Sequence, residues 1–209
     1  MDLPCKYSEN GCDAEGAKAV MLEHSDSCHF GKIKCPLNVH MMYTCKENLV
    51  YCKEILLKNE VINHLSTVHK VAMWKANASG KLTNRSWKIL HRHKQMKDIT
   101  FPVILTSFDG NTFILSSTQQ NWTRSIWVAV LGSEKVAKTY DVKIRTYNKG
   151  DIKAWIGNIG KVYSTDTSQE DVLEDNKGVL ELSKRQMEKL EKEEGDKYKI
   201  YIDYEIVRN

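Results

Sequence analysis

The sequence has no run of apolar residues approaching the roughly 20 that a membrane-spanning helix needs. Its start, Met1-Asp2-Leu3-Pro4 ahead of Cys5, lacks the basic and then apolar make-up of a secretory leader. No cysteine follows Cys52. The first two absences set the expectation of an intracellular protein, cytoplasmic and also nuclear, with no membrane partner. In such a reducing compartment, thiols crowded between Cys5 and Cys52 point to metal binding rather than to lasting disulfides. By the same argument the N-x-S/T triplets at Asn77, Asn84 and Asn121, which signal glycosylation only in secreted chains, read as polar loops.

What is present suits a soluble globular chain. Hydrophobic residues make up 41% and charged residues 28% of 209, an ordinary balance that needs no global disorder, and the length suggests a core plus a small satellite. Charge is uneven: net −1 over residues 1–70, +6 over 71–100, +4 over 101–164 and −5 over 165–209. The cysteine-rich region is therefore not the basic one.

Within that region the spacing Cys5-x6-Cys12-x11-His24-x3-Cys28 is followed by Cys52-x11-His64-x4-His69. The second stretch repeats the first with histidine in place of the last cysteine. Two soft ligands on a tight hairpin, with Gly11 at its turn, and two on one face of a following helix can enclose a tetrahedral ion, which suits two structural zinc ions. "AKAVMLEH" and "EVINHLSTVH" have helical character, with Val20 and Val61 expected to form an apolar stripe beside the ligands. A segment this short buries little apolar surface, so an ion that contributes folding energy directly resolves a real difficulty. Four protein ligands leave no open position for water, which makes each ion a staple rather than a catalyst. The first ligand of the second group has two candidates, Cys35 and Cys45, since Cys45-x6-Cys52 copies the earlier spacing while Cys35 precedes Pro36.

From about Ser86 the pattern becomes short runs of β-branched and aromatic residues between turn signals. "DITFPVILTSF", "NTFILSS", "SIWVAVLG", "YDVKIRTYN", "IKAWIGNI", "KVYS", "GVLELS" and "YKIYIDYEIV" read as strands, with Asp109-Gly110-Asn111 a hairpin turn. In the last of them Ile200, Ile202, Tyr204 and Ile206 share one face. Many strands and few helices predict an antiparallel sandwich. One helix is expected after Ser183, with Gln186 completing a capping box, Met187 and Leu190 on its apolar edge and Gly195 at its end. The acidic "TSQEDVLEDN" reads as a surface loop.

These residues resemble the seven-in-absentia (Sina/Siah) family. "PCKYSENGC", "LEHSDSCHF", the Cys35-Pro36 pair and "INHLSTVH" are similar in order and spacing, over residues 4–69, to paired Siah-type zinc fingers. The family's second finger opens with Cys-Pro, so the resemblance assigns Cys35, with Cys52, His64 and His69, to the second ion. Cys45 then remains the alternate, and His29 and His40 are bystanders. Cys35 and Cys52 enclose sixteen residues, more than is usual in the family, yet closure costs rise by only about 0.6 kcal/mol per doubling of a loop. "VAVLGSEKVAKTYDVKIR" and the strand, helix, strand ending resemble the family's TRAF-like domain. The expected organisation is paired Siah-type fingers over 1–70, a linker over 71–85 and a TRAF-like antiparallel β-sandwich with one helix near its C-terminal end over 86–209: mostly β, with small α+β fingers.

In the family a RING recruits the ubiquitin-charged enzyme, while fingers plus sandwich bind clients and form a dimer. A RING has eight ligands of its own, and the eight assigned here leave only His29, His40, Cys45, His91 and His93. The chain thus reads as a recognition module of ubiquitin-dependent degradation, an adaptor or regulator, or as the part of a ligase that lacks its RING. Expected partners are proteins bearing short extended peptides, RING-bearing family members and a second copy. A nucleic-acid reading rests on Lys81, Arg85, Lys88, Arg92, Lys94 and Lys97 with Trp87. DNA-reading fingers, however, space their first pair by two to four residues, and the fingers here are net negative. The run reads instead as a solvated linker and first strand. A hydrolase built on Cys45 with His40 or His91 has nothing around it that marks a nucleophile.

Overall fold

Alternation of apolar and polar side chains, broken by turn residues, makes strands the main regular element of the described residues, with a few short helices between them. The computed structural model describes residues 2–36, 52–71, 73–78, 80–89, 104–120, 123–148, 151–190, 192–194 and 197–209. Among these, no helix is long and apolar enough to cross a membrane.

Two small units come first. One has the ribbon β1 (Leu3–Pro4) and β2 (Glu15–Gly16) followed by helix α1 (Lys18–Ser27); the other has β3 (Lys32–Lys34) and β4 (Ile55–Leu57) followed by α2 (Val61–Thr67). Next come β5 (Met73–Lys75), β6 (Lys81–Ile89), β7 (Ile104–Phe108), β8 (Asn111–Gln120), β9 (Thr123–Val130), α3 (Glu134–Ala137), β10 (Tyr140–Asn148), β11 (Asp151–Lys161) and β12 (Tyr163–Ser164). The chain closes with α4 (Gln169–Asp175), β13 (Leu180–Ser183), α5 (Lys184–Leu190), β14 (Lys192–Glu194) and β15 (Lys197–Arg208).

The strands form two larger sheets. One runs β11-β10-β15, with β14 and β6 also paired to β15; the other runs β5-β7-β8-β9, with β12 and β13 both along β9. Pairing is antiparallel except for β5 on β7 and β12 on β9. Between β7 and β8, Asp109 (φ 50°) and Gly110 (φ 73°) make a two-residue loop with both centres left-handed, the twist that matches flanking strands. The Asp109 carboxylate then accepts hydrogen bonds from the Tyr140 hydroxyl (2.9 Å) and Arg208 (3.0 Å), tying that turn to the other sheet.

One core draws on both sheets: Phe113, Leu115, Ile126, Val128 and Val130 from one, and Val142, Ile144, Ile202, Tyr204 and Ile206 from the other. Met187 of α5 closes one side of it. The intervening residues of β7, β8 and β9 point the opposite way and are buried as well. Leu105 and Ile114 lie under the second small unit, and Trp127 and Ala129 lie under Tyr163, Val172 and Val179. A sheet covered on both faces explains why "SIWVAV" reads as an unbroken apolar run instead of an alternating one.

Several expectations change. The stretch 71–85 contains β5 and the first half of β6, both paired into the sheets, so it is part of the body and not a linker. "TSQEDVLEDN" forms α4, because the Ser168 hydroxyl accepts from the Asp171 amide (3.1 Å) and caps it. A second cap, Ser133, starts α3 where only a polar link was expected. The predicted capping box is present: the Ser183 amide donates to Gln186 Oε1 (2.9 Å) and the Gln186 amide to Ser183 Oγ (3.4 Å). That helix ends at Leu190, before β14, while Gly195 lies outside the described residues. Of the three N-x-S/T asparagines, Asn84 lies within β6 and Asn121 outside the described residues.

Gly80 fixes the entry to β6. Its φ is +72° and a Cβ there would sit 2.1 Å from the Ile206 carbonyl oxygen, against a backbone whose Ile206 amide donates to the Gly80 carbonyl (3.0 Å). Gly80→Ala is expected to cost about 2 kcal/mol or more, read as a lowered denaturation midpoint, whereas Gly110→Ala, with open space around it, should cost clearly less.

Candidate metal centres

The first group is assembled by a knuckle and a short helix. From Cys5 the chain turns through residues 8–10 to Gly11 (φ 105°), which returns it to Cys12. The Tyr7 amide points back at Cys5 Sγ (3.4 Å). His24 sits in the last turn of α1, and Cys28 follows at its end in an extended conformation. The four donor atoms Cys5 Sγ, Cys12 Sγ, His24 Nε2 and Cys28 Sγ lie within 4.8 Å of one another. Cys5 and Cys28 are 3.8 Å apart, and Cys12 Sγ is 3.3 Å from His24 Nε2.

The second group places Cys35, Cys52, His64 and His69 in the same relation. Cys35 leaves β3 with its amide bonded to the Glu54 carbonyl (2.9 Å). Cys52 Sγ is 3.4 Å from His64 Nε2, Cys35 Sγ 3.5 Å from His69 Nε2, and the two histidine nitrogens 3.0 Å apart. A five-residue step does not keep two side chains on one helical face. The helix therefore stops at Thr67, Lys70 adopts a left-handed φ of 54°, and the Val71 amide bonds back to the Leu65 carbonyl (2.9 Å). The expectation that both ligands share a helix face is thus replaced by a ligand pair straddling the helix end.

These separations can be compared with a coordination tetrahedron. Bond lengths of about 2.3 Å to sulfur and about 2.0–2.1 Å to nitrogen give tetrahedral edges of about 3.8 Å for S···S, about 3.5 Å for S···N and about 3.3 Å for N···N. The S···S and S···N distances match, and the N···N distance is a little short. Both groups could hold a metal ion. The electrostatics point the same way. Burial, followed by Cys12 and Cys5 close by, pushes the Cys28 thiol up to about 11. Burial also raises Cys5, but the Tyr7 amide and the neighbouring thiols more than offset it and hold this thiol low. Thiols this close resist ionising together unless a cation among them supplies the opposing charge. Burial, with His64 beside it, lowers His69 and favours the neutral ring that a ligand requires.

One participant was not visible in the ligand spacing. Glu54 Oε2 lies 3.0 Å from His64 Nδ1, so a neutral ring donates there and turns its other nitrogen, Nε2, to the cluster. Nothing in the spacing marks Glu54; only the pairing of β3 with β4 puts it beside the ring. Of the apolar residues expected beside the ligands, Val61 is fully buried, whereas Val20 is 57% exposed and Met21 fills the first unit instead. His29 is exposed and joins neither group. Cys45, His40, His91 and His93 lie outside the described residues, as does any site built on them. Of the basic run, Lys81, Arg85, Lys88 and Trp87 belong to β6 paired with β15, and Arg92, Lys94 and Lys97 lie outside the described residues.

The two groups differ in their surroundings. Cys35 and Cys52 are part of a buried cluster with Ile33, Val61, Leu65, Leu105 and Ile114, so the second group is seated on the body. Among the described residues, the first is clustered with Met21, Tyr7, Ala14 and Phe30. It is joined to the rest by polar contacts, among them Glu23 with Lys135 and Lys58 with the Asp26 carbonyl (3.2 Å). Comparison with known protein families and with curated proteins finds no match for this chain.

Metal reconstitution is expected to bind two ions per chain, and Cys12→Ser or Cys52→Ser one. Cys12→Ser should leave the unfolding of the sheets nearly unchanged, while Cys52→Ser should lower their midpoint; equal effects would contradict the packing described. Glu54→Gln is expected to weaken the second site roughly tenfold to a hundredfold in a chelator competition, leaving the first site unaltered.

Proposed function

We propose that this chain is a zinc-stabilised protein-recognition module of the Siah type, with a TRAF-like body, acting as an adaptor or regulator in ubiquitin-dependent degradation. The observation that carries this reading is the pair of four-ligand Cys/His groups in tandem, the second seated on a body of two sheets. Zinc is the ion that best suits the Cys3His and Cys2His2 donor sets, and with four protein ligands at each site its role is structural. Exposed surface next to the second group supplies a place for a client. Strand β5 ends the described order of its sheet, and Met73 and Trp74 there are 40% and 38% exposed. An extended client segment laid along such a sheet margin gains main-chain hydrogen bonds and sets its specificity through side-chain pockets. The proposed chain recruits no charged conjugating enzyme by itself, and works as a dimer or bound to a RING-bearing relative.

The test combines purified chain, ubiquitin, activating enzyme and a panel of conjugating enzymes, alongside pull-downs with a RING-bearing Siah-family protein. Expected are two zinc ions per chain, no ubiquitin conjugation by the chain alone, and capture of the RING-bearing protein that Trp74→Ala weakens. Conjugation by the chain alone, or fewer than two zinc ions in an intact fold, would overturn the proposal.

A further inference from the structure

A groove of about 520 Å³ lies between β3 and the turn that leads into α4. Its floor is the outer face of the six-stranded sheet, where Ile114, Trp127 and Ala129 come from β8 and β9 and Val172 joins them from α4. One wall is β3 itself, and the other includes Asp166 and Glu170. This volume falls within the range of pockets that enclose small ligands, and it accommodates a few residues of extended peptide.

The register of β3 says what such a peptide meets. The Lys58 amide donates to the Gly31 carbonyl (2.9 Å) and the Cys35 amide to the Glu54 carbonyl (2.9 Å), with Ile33 opposite Leu56 between them. Residues 31, 33 and 35 therefore direct their main-chain groups at β4. Alternation in an antiparallel pair turns the amides and carbonyls of Lys32 and Lys34 to the opposite edge. That edge faces the groove, because residues of β3 line it and none of β4 does. Among the described residues, β3 pairs with no strand other than β4.

Side-chain direction completes the specification. Ile33 points down into the cluster on Leu105 and Ile114, while Lys32 and Lys34 are exposed on the other face. In a strand added to β3, the residue opposite Ile33 faces the apolar floor, and its two neighbours stand beside the lysines. The Thr165 hydroxyl, a buried oxygen with no hydrogen-bond partner among the described residues, also lines this space and offers one further polar contact.

We propose that this groove is a second docking site, separate from β5, for an extended segment of a partner protein with the pattern acidic, aliphatic, acidic. The segment pairs with the outward main-chain groups of Lys32 and Lys34, rests its aliphatic side chain on the small parts of Trp127 and Ala129 that line the groove, and places its carboxylates beside the two ammonium groups. The proposal goes beyond the Siah-type reading and does not require it, since it depends only on the register of β3 and the floor beneath.

Fluorescence anisotropy on the full, zinc-loaded chain tests it with labelled nine-residue peptides centred on Glu-Val-Glu, Lys-Val-Lys and Glu-Asn-Glu. The expected result is saturable binding of the first, weakened about tenfold in each of the others. Lys32→Glu with Lys34→Glu, both exposed positions, should lower affinity for Glu-Val-Glu and raise it for Lys-Val-Lys. Trp74→Ala should leave both unchanged, which separates this site from the β5 margin. Equal binding of all three peptides, no binding of Glu-Val-Glu, or loss of its binding in Trp74→Ala would each overturn the proposal.

Discussion

The outer face of the six-stranded sheet has to be covered, and much of the structure follows from how that is done. Leu105, Ile114, Trp127 and Ala129 point away from the core shared by the two sheets, and left open they would make a contiguous apolar patch of the kind that drives association. A unit of two short strands and a seven-residue helix covers Leu105 and most of Ile114, while Tyr163, Val172 and Val179 cover most of Trp127 and Ala129 and leave the groove beside β3. The small unit cannot hold itself together by burial, having little more than Ile33, Val61, Leu65 and Val71 to contribute. Cys35 and Cys52 meet both needs at once, since their side chains are ligand donors and members of the same apolar cluster. An ion held by these donors and the covering of the sheet would stabilise one another across a single interface.

The first unit answers to weaker constraints. Its interior is little more than the cysteines, Met21 and the flanks of Tyr7 and Phe30, and Val20 and Leu22 on α1 remain exposed. Its attachments include the polar contacts of Glu23 with Lys135 and of Lys58 with the Asp26 carbonyl. Exposed ion pairs contribute at most about 1 kcal/mol each, so Glu23 with Lys135 orients more than it stabilises. Lys58 is different. Its side chain is only 11% exposed, donates to the Asp26 carbonyl and lies 3.6 Å from the Asp166 carboxylate, joining the first unit, the second unit and the body through one cation. This lysine is one of the contacts that hold the two units together, beside the Asn59 amide bonded to the His29 carbonyl (3.0 Å).

The features legible in the sequence are those set by local chemistry. Strand positions from Ile104 onward follow from β-branched runs and turn residues, and the Asp109-Gly110 turn and the Ser183/Gln186 box are contained in a few residues each. Ligand spacing likewise points to seven of the eight cysteines and histidines that gather, because a knuckle and a helix end impose their own separations, and leaves Cys35 and Cys45 open for the eighth. The rest depends on pairing at a distance. β5 and β6 lie in a polar, basic stretch and exist because β7 and β15 offer edges to them, a tertiary effect that overrides weak propensity. Glu54 becomes a histidine partner only when β4 is laid beside β3. Helix α4 could have been read from Ser168 and the acidic first turn, but its charges resemble those of a loop until Val172 is seen buried beneath it.

Edge strands carry a cost that this fold handles unevenly. A margin with unpaired main-chain groups invites pairing with another chain, and natural sheets blunt such margins with lysine. On β3 the outward amides and carbonyls belong to Lys32 and Lys34, so two copies pairing along this edge would bring ammonium groups together over an apolar floor. Like charges directly opposite in a strand pair are unfavourable, and opposite charges favourable. The same two lysines that discourage self-association are therefore what would admit an acidic strand. At β5 the balance is reversed, with Met73 and Trp74 exposed beside a single lysine, Lys75. A surface of that kind selects by shape and apolar contact more than by charge, so the two margins would discriminate among partners by different physics.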